Sequence, residues 1–282
     1  MTTITSPTNP RVAHVRDLHT TRGRKKSGLL LMEGPHLLEA LLAANIVPYE
    51  IYYQPELLRR TAPGRALLAR LLNPTLPLAA ASFFEVSERV AEALSEAQTS
   101  QGVVCVLPLQ PLSAERLLAR RPPAQRPALL VLDDLADPGN LGTILRTALA
   151  ADVQKVLLTP HCVDCYSPKV LRSAAGAHVT LPVEVDLSWS EIAEKVANHC
   201  GAATAERVFI AEAHAPTPYY SENLVQPFVL LIGNEAHGLS EQAHALATRS
   251  ISIPLANQVE SLNAGMAAGI ILFEAVRQLH HS

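Results

Sequence analysis

Residues 128–158 read ALLVLDDLADPGNLGTILRTALAADVQKVLL, and this stretch decides the fold. Ala128-Leu-Leu-Val-Leu132 is an apolar run without polar alternation, the pattern of a strand buried on both faces. Pro138 and Gly139 make a turn, and Asn140 stands where a helix N-cap is wanted. Leu141, Ile144, Leu145, Ala148 and Leu149 then recur at helical spacing, which predicts a helix over 141–151. Lys155–Leu158 is a second apolar strand. Strand, helix and strand within about 30 residues form the unit from which parallel sheets are built.

The same alternation runs downstream. The pattern predicts helices over 168–175 and 190–199 and strands over 179–185, 208–211, 228–232 and 251–254. A long helix over 263–279 closes the chain. Residues 128–282 therefore read as an α/β domain with a mostly parallel sheet, whose ligands bind beyond the carboxyl ends of the strands. Upstream, strands over 28–33, 46–53 and 101–107 and a helix over 36–44 predict a smaller α/β domain, residues 1–108. Pro108, Pro111, Pro122, Pro123 and Pro127 cluster around a short helix at 113–121, so 109–127 reads as a Pro-rich linker.

Composition bounds the function. With 48% hydrophobic and 17% charged residues, the 282-residue chain is globular rather than disordered. The longest apolar candidate, Ala264–Phe273, stops at Glu274, too short for a membrane span. A net charge of −3 gives no global sign of a nucleic-acid partner. The first 28 residues differ: Arg11, Arg16, Arg22, Arg24, Lys25 and Lys26 stand against Asp17 alone. Such a basic end suits a local anionic partner, or is a solvated terminus. Its composition is also that of a transit peptide, but Pro7 and Pro10 break an amphipathic helix there. With no apolar leader, the four cysteines are expected reduced, in the cytoplasm. His161-Cys162-x-x-Cys165 has the inner spacing of a zinc half-site, but no second pair follows, so packed thiols and no metal are expected.

The common nucleotide and hydrolase motifs, G-x-G-x-x-G, G-x-x-x-x-G-K-[ST] and G-x-S-x-G, are absent. Three other strand exits carry unusual loops. In the first, Asp133–Arg146, Arg146 lies off the apolar stripe and Gly142 sits one turn before it, a side-chain-free spot suited to a ligand. In the second, Leu230–Ser240, an apolar strand runs into Gly233, Glu235 and Gly238, glycines that let backbone approach a ligand. In the third, Ile251–Ile271, a polar loop leads to a helix starting near Ser261–Asn263, with Ser261 as its default N-cap. Gly265, Ala268 and Gly269 give that helix a small flank, able to press against another element or a second subunit.

These loops, in this order, resemble the three signature motifs of the SpoU family of RNA ribose 2′-O-methyltransferases, in the SPOUT superfamily. The matching stretches are Asp137-Pro-Gly-Asn-Leu-Gly-Thr-Ile-Leu-Arg-Thr147, Ile232-Gly-Asn-Glu-Ala-His-Gly-Leu-Ser240 and Ile253-Pro-Leu-Ala-Asn-Gln-Val-Glu-Ser-Leu-Asn263. Pro168–Gly176, which holds Arg172, resembles the stretch between the first two. Thr5–Arg11 and Arg24–Gly34 resemble the substrate-binding domain of rRNA-directed members, a domain similar to ribosomal proteins. The resemblance implies S-adenosylmethionine as cofactor, a C-terminal trefoil knot, a homodimer with its active site near the interface, and RNA, rRNA before tRNA, as partner. It assigns Gly233, Ile253 and Leu262 to the cofactor. Arg146, Asn140, Glu235, Ser261 and Asn263 fall in the catalytic set; the charge run predicts, separately, that Arg22, Arg24, Lys25 and Lys26, with Arg172, contact the substrate. The third motif departs at Leu255-Ala-Asn-Gln258, where many members have Met and Gly. A tRNA methyltransferase, an RNA-binding protein of the same fold without catalysis, and a small-molecule enzyme on a parallel sheet remain as alternatives.

Overall fold

The computed structural model describes residues 3–72, 78, 81–120 and 128–281. The chain forms two compact units, Met1–Leu112 with Tyr166–Val179, and Ser113–Cys165 with Thr180–Ser282.

In the first unit, strands β1 (Leu29–Glu33), β2 (Glu50–Tyr53), β3 (Ser82–Glu85) and β4 (Val103–Pro108) form a sheet of order β1-β4-β2-β3. The pairs of β4 with β1 and β2 are antiparallel and the pair β2–β3 is parallel. Both faces are covered, which is why these strands show no alternation in sequence. Leu30, Met32, Ile51 and Cys105 meet leucines of α3 (Pro35–Ala43) and α5 (Ala62–Leu72). Leu31, Tyr52, Val104 and Val106 meet Val12 and Val15 of α1 (Pro10–Asp17) and Val90 and Leu94 of α6 (Glu88–Leu94). Helices α2 (Thr21–Ser27) and α4 (Pro55–Arg59) complete this part.

The N-terminal stretch corrects the sequence reading. Pro10 does not break a helix; it begins one, behind Asn9, whose Oδ1 accepts from Arg11 N at 2.9 Å. A proline at the first helical position loses no hydrogen bond, because that N–H has no partner in any helix. Gly23 in α2 marks a close approach of backbone, since a Cβ there would fall 2.1 Å from the Asp17 carbonyl oxygen.

The second unit begins with α7 (Ala114–Arg120), inside the stretch expected as linker; residues 121–127 of that stretch lie outside the described residues. Seven strands follow: β5 (Ala128–Leu132), β6 (Lys155–Leu158), β7 (Val183–Glu184), β8 (Val208–Ala211), β9 (Thr217–Pro218), β10 (Phe228–Ile232) and β11 (Arg249–Ser252). Their order is β7-β6-β5-β10-β8-β11-β9, and every neighbouring pair is parallel. Leu129, Val131, Val229 and Leu231 pack against Ile192 and Val196 of α10 (Trp189–Cys200). Helix α8 (Pro138–Ala150) packs on α12 (Ala264–His281), and α11 (Glu241–Leu246) leads into β11. The small flank of α12 meets α8 of the same chain: a Cβ on Gly265 would lie 3.1 Å from Thr143 Cγ2.

Residues 166–179, expected in the second domain, pack within the first unit. They form α9 (Pro168–Ser173), with Leu171 and Val179 buried among Leu37, Leu38 and Leu41. The strand expected over 179–185 shrinks to β7, because 177–179 is a 3-10 turn inside that core.

Candidate active site

The three strand exits converge. Asp133, directly after β5, is 3% exposed, and its Oδ2 accepts from Ser240 N at 2.7 Å. Its Oδ1 accepts from Thr159 Oγ1 at 3.4 Å, so one buried carboxylate ties the ends of β5, β6 and β10 together. Asn234 adds a second tie, donating from Nδ2 to Asp134 O at 2.7 Å.

Helix α8 is capped by Asp137, not by Asn140: Asp137 Oδ1 accepts from Asn140 N at 2.7 Å. That frees the Asn140 side chain. Its Nδ2 donates to Glu235 Oε1 at 2.6 Å, and its Oδ1 accepts from Asn263 Nδ2 at 2.6 Å. Asn263 Oδ1 in turn accepts from Gly265 N and Met266 N, at 2.9 and 3.2 Å. Asn263 is therefore the residue that opens α12; Ser261, the expected cap, lies exposed in the preceding loop. A single directed chain of hydrogen bonds thus runs from the α12 N-terminus through Asn263 and Asn140 to Glu235. Each amide is fixed by what it must donate and accept.

The two glycines of the second loop approach each other. A Cβ on Gly233 would sit 2.5 Å from the carbonyl carbon and oxygen of Gly238. The loop closes by reciprocal Asn234–Gly238 backbone bonds of 2.9 Å. Asn234 Oδ1 accepts from Ala236 N at 2.7 Å and His237 N at 3.2 Å, and Gly238 adopts φ +72°. This tight turn presents Glu235.

Beyond the strand ends lies a cleft of about 1190 Å³. Asn140, Glu235, Ser261, Asn263, Gly233, Ile253 and Leu262 all line it. Asp137 and Leu255, quoted above without a role, and Glu212 and His214, which sequence reasoning passed over, line it as well. Glu212 had a readable signal, since it follows the apolar run Val208–Ala211 directly, at one more strand exit.

The remaining candidates lie elsewhere. Arg146 is exposed on α8 and is not part of the cleft wall. Gly142, one turn before it, is buried in α8. Arg172 sits on α9 in the first unit. Arg22, Lys25 and Lys26 are exposed on α2, but Arg24 is 3% exposed. Its Nη1 donates to Leu18 O and His19 O, both at 2.7 Å, so this guanidinium clips α1 to α2 and is not presented to a phosphate. Cys162 is a packed thiol, accepting from Leu135 N at 3.3 Å and donating to Leu132 O at 3.4 Å, and burial pushes its pKa up.

The cleft suits an adenosyl sulfonium. Ile232, Ile251, Ile253, Leu255 and Leu262 offer apolar surface for a flat ring, and the charged side chains lining it are carboxylates. Comparison with known proteins agrees. The SpoU rRNA Methylase family matches residues 127–273, and the MRM3-like substrate binding domain matches residues 9–105. An uncharacterized tRNA/rRNA methyltransferase of Synechocystis is 36% identical over 98% of this chain and 93% of its own. The 23S rRNA (guanosine(2553)-2′-O)-methyltransferase RlmP of Bacillus subtilis is 29% identical over 97% of this chain and 98% of its own. The SpoU methyltransferase AviRb of Streptomyces viridochromogenes, solved in complex with AdoMet, superposes with a TM-score of 0.80 at 27% identity, covering 96% of this chain and 98% of that one.

Proposed function

The chain belongs to the SpoU rRNA methylase family, and on that premise we propose how its residues transfer a methyl group from S-adenosylmethionine to a ribose 2′-OH of ribosomal RNA. The observation that carries this reading is the Glu235–Asn140–Asn263 chain on the wall of a cleft with both apolar and acidic lining. When bound, the cofactor supplies an electrophilic methyl and its own leaving group. The protein's task is alignment and charge placement. Gly233, Ile253 and Leu262 shape the adenosyl slot. Asn140 and Asn263 hold Glu235 and the third loop in register, and Ser261 and Glu235 order the ribose by hydrogen bonds. Arg146 grips the target phosphate bidentately and orients the hydroxyl; a guanidinium stays protonated, so the proton passes to phosphate or solvent.

Arg146 lies six residues beyond Asn140, roughly 9 Å along the helix, outside its own cleft wall. This supports a homodimer in which Arg146 serves the cleft of the second copy. The exposed apolar residues Leu262, Met266 (58% exposed) and Phe273 (48%) on and before α12 support the same assembly. Met266→Asp with Phe273→Asp is expected to give a monomer in light scattering, with methyl transfer lost; a dimer of unchanged mass would refute this interface. The strand order, with β10 between β5 and β8 and β11 beyond β8, supports the trefoil-knotted path through 253–263. A cytoplasmic setting fits the four free thiols.

The first unit is assigned to RNA. Replacing Arg22, Lys25 and Lys26 by Ser is expected to weaken rRNA binding and to flatten its salt dependence by about 0.7–0.9 of a slope unit for each phosphate left unneutralised, with cofactor affinity unchanged. Arg24→Ser is expected to act differently. It lowers the melting temperature by leaving two carbonyls without their charged donor, at about 1.5–3 kcal/mol. Equal effects of the two changes on RNA binding at full stability would refute the division.

The direct test is incubation of purified protein with S-adenosylmethionine and both rRNA and tRNA, followed by mapping of 2′-O-methyl sites. One modified rRNA nucleotide is expected. Modification of tRNA alone would overturn the substrate assignment.

A further inference from the structure

Three carboxylates, Asp137, Glu212 and Glu235, line the cleft, and among its described lining residues there is no Lys or Arg. Two of the three are occupied by the loops themselves. Asp137 caps α8, and Glu235 takes Asn140 Nδ2 and, at 3.4 Å, Ala136 N. Glu212 is different. Its backbone N–H is pinned to Ile251 O at 3.0 Å, at the carboxyl ends of β8 and β11, so its position is set by the sheet. Its side chain has one polar neighbour among the described residues, His244, with Nε2 3.8 Å from Oε1. A carboxylate on the wall of a largely apolar cleft, with nothing on the loops to hold, is available to a ligand's charge.

The reaction changes that charge. The cofactor enters as a sulfonium and, once the methyl has left for the ribose oxygen, remains as a neutral thioether. Its adenine, ribose and amino-acid parts are unaltered. A fixed negative group near the sulfur therefore interacts with the two forms unequally, while every other contact is shared. We infer that Glu212 is a charge-selecting residue of the cofactor site: its carboxylate favours the sulfonium form over the thioether product, and so biases the cleft toward loading and release. The inference rests on the reading of this cleft as the cofactor site.

The test measures dissociation constants by calorimetry on the full-length protein and on Glu212→Gln, which keeps shape and removes charge. Three ligands are compared: S-adenosylmethionine, S-adenosylhomocysteine, and sinefungin, which carries an ammonium-bearing carbon in place of the sulfonium. The variant is expected to bind S-adenosylmethionine and sinefungin about three- to tenfold more weakly, as befits a charge pair in a partly solvated site. S-adenosylhomocysteine is expected to change by less than about twofold, which also reports that the variant's cleft is intact. Equal weakening of all three would overturn the inference and move Glu212 to a group common to them, such as the ribose diol. No change in any of them would overturn it as well. Failure of the unaltered protein to bind all three would overturn the reading of the cleft itself, and this inference with it.

Discussion

Arg146→Ala is expected to abolish methyl transfer, by about a hundredfold or more, while S-adenosylmethionine binding stays within about threefold. The loss of rate follows from the chemistry. Losing the group that holds the hydroxyl in line with the methyl misplaces the reacting atoms, which costs on the order of 10²-fold in turnover. The retained binding follows from the structure, because Arg146 is absent from the cleft wall and exposed on α8. Arg146→Lys restores the charge but not the planar fork, and is expected to recover only a small part of the rate. If Arg146 serves the second copy's cleft, mixing Arg146→Ala with a cofactor-deficient variant regenerates one competent site per mixed dimer. Activity in the mixture above that of either component measures this directly. Unchanged turnover in Arg146→Ala would refute the assignment.

Gly233→Val is expected to weaken cofactor binding by about tenfold or more and to lower stability. The reason is not crowding of the ligand alone. The clash begins at Cβ, 2.5 Å from the Gly238 carbonyl and 2.7 Å from Leu239 N, and these are backbone atoms with no rotamer to escape into. Overpacking of this kind costs about 1–3 kcal/mol, and more where backbone must move. The Asn234–Gly238 pair would open, and with it the turn that presents Glu235 to Asn140. Gly233→Ala is therefore expected to be nearly as damaging as the valine. A harmless alanine would show that the loop tolerates the shift and that the glycine serves ligand access instead. An unaltered dissociation constant in both variants would remove Gly233 from the site.

Six of the second unit's strands, its closing helix and the convergence of three loops were legible because buried parallel strands are unbroken apolar runs and their exits are loops; β9, two residues ending on Pro218, has no such run. The caps were less so. Asp137 and Asn140 are both good N-cap residues, and only Pro138, at the first helical position, marks the former. Misplacing the cap hid the finding that mattered, that the Asn140 side chain is free to bridge Glu235 and Asn263. Arg24 could not be told from Arg22 in sequence. What separates them is a pair of carbonyls left over where α1 ends, a tertiary fact. The same holds for Leu171 and Val179, whose partners Leu37, Leu38 and Leu41 lie more than 120 residues earlier. No local pattern encodes that distance.

That last pairing has a consequence for biosynthesis. The first unit's chain breaks off at Leu112 and resumes only at Tyr166–Val179. At roughly 5–20 residues per second, translation delivers the returning segment several seconds after the rest of that unit has left the ribosome. Until then Leu37, Leu38 and Leu41 lack the cover that Leu171 and Val179 give them in the folded protein. Supplying that cover late adds little entropic cost, since that grows only as the logarithm of loop length. The core of the unit that matches the MRM3-like substrate binding domain is thus completed by a piece of sequence encoded within the methyltransferase half. A message cut short before codon 166 is expected to yield a fragment with an unfinished core, cleaved faster than the whole protein in limited proteolysis.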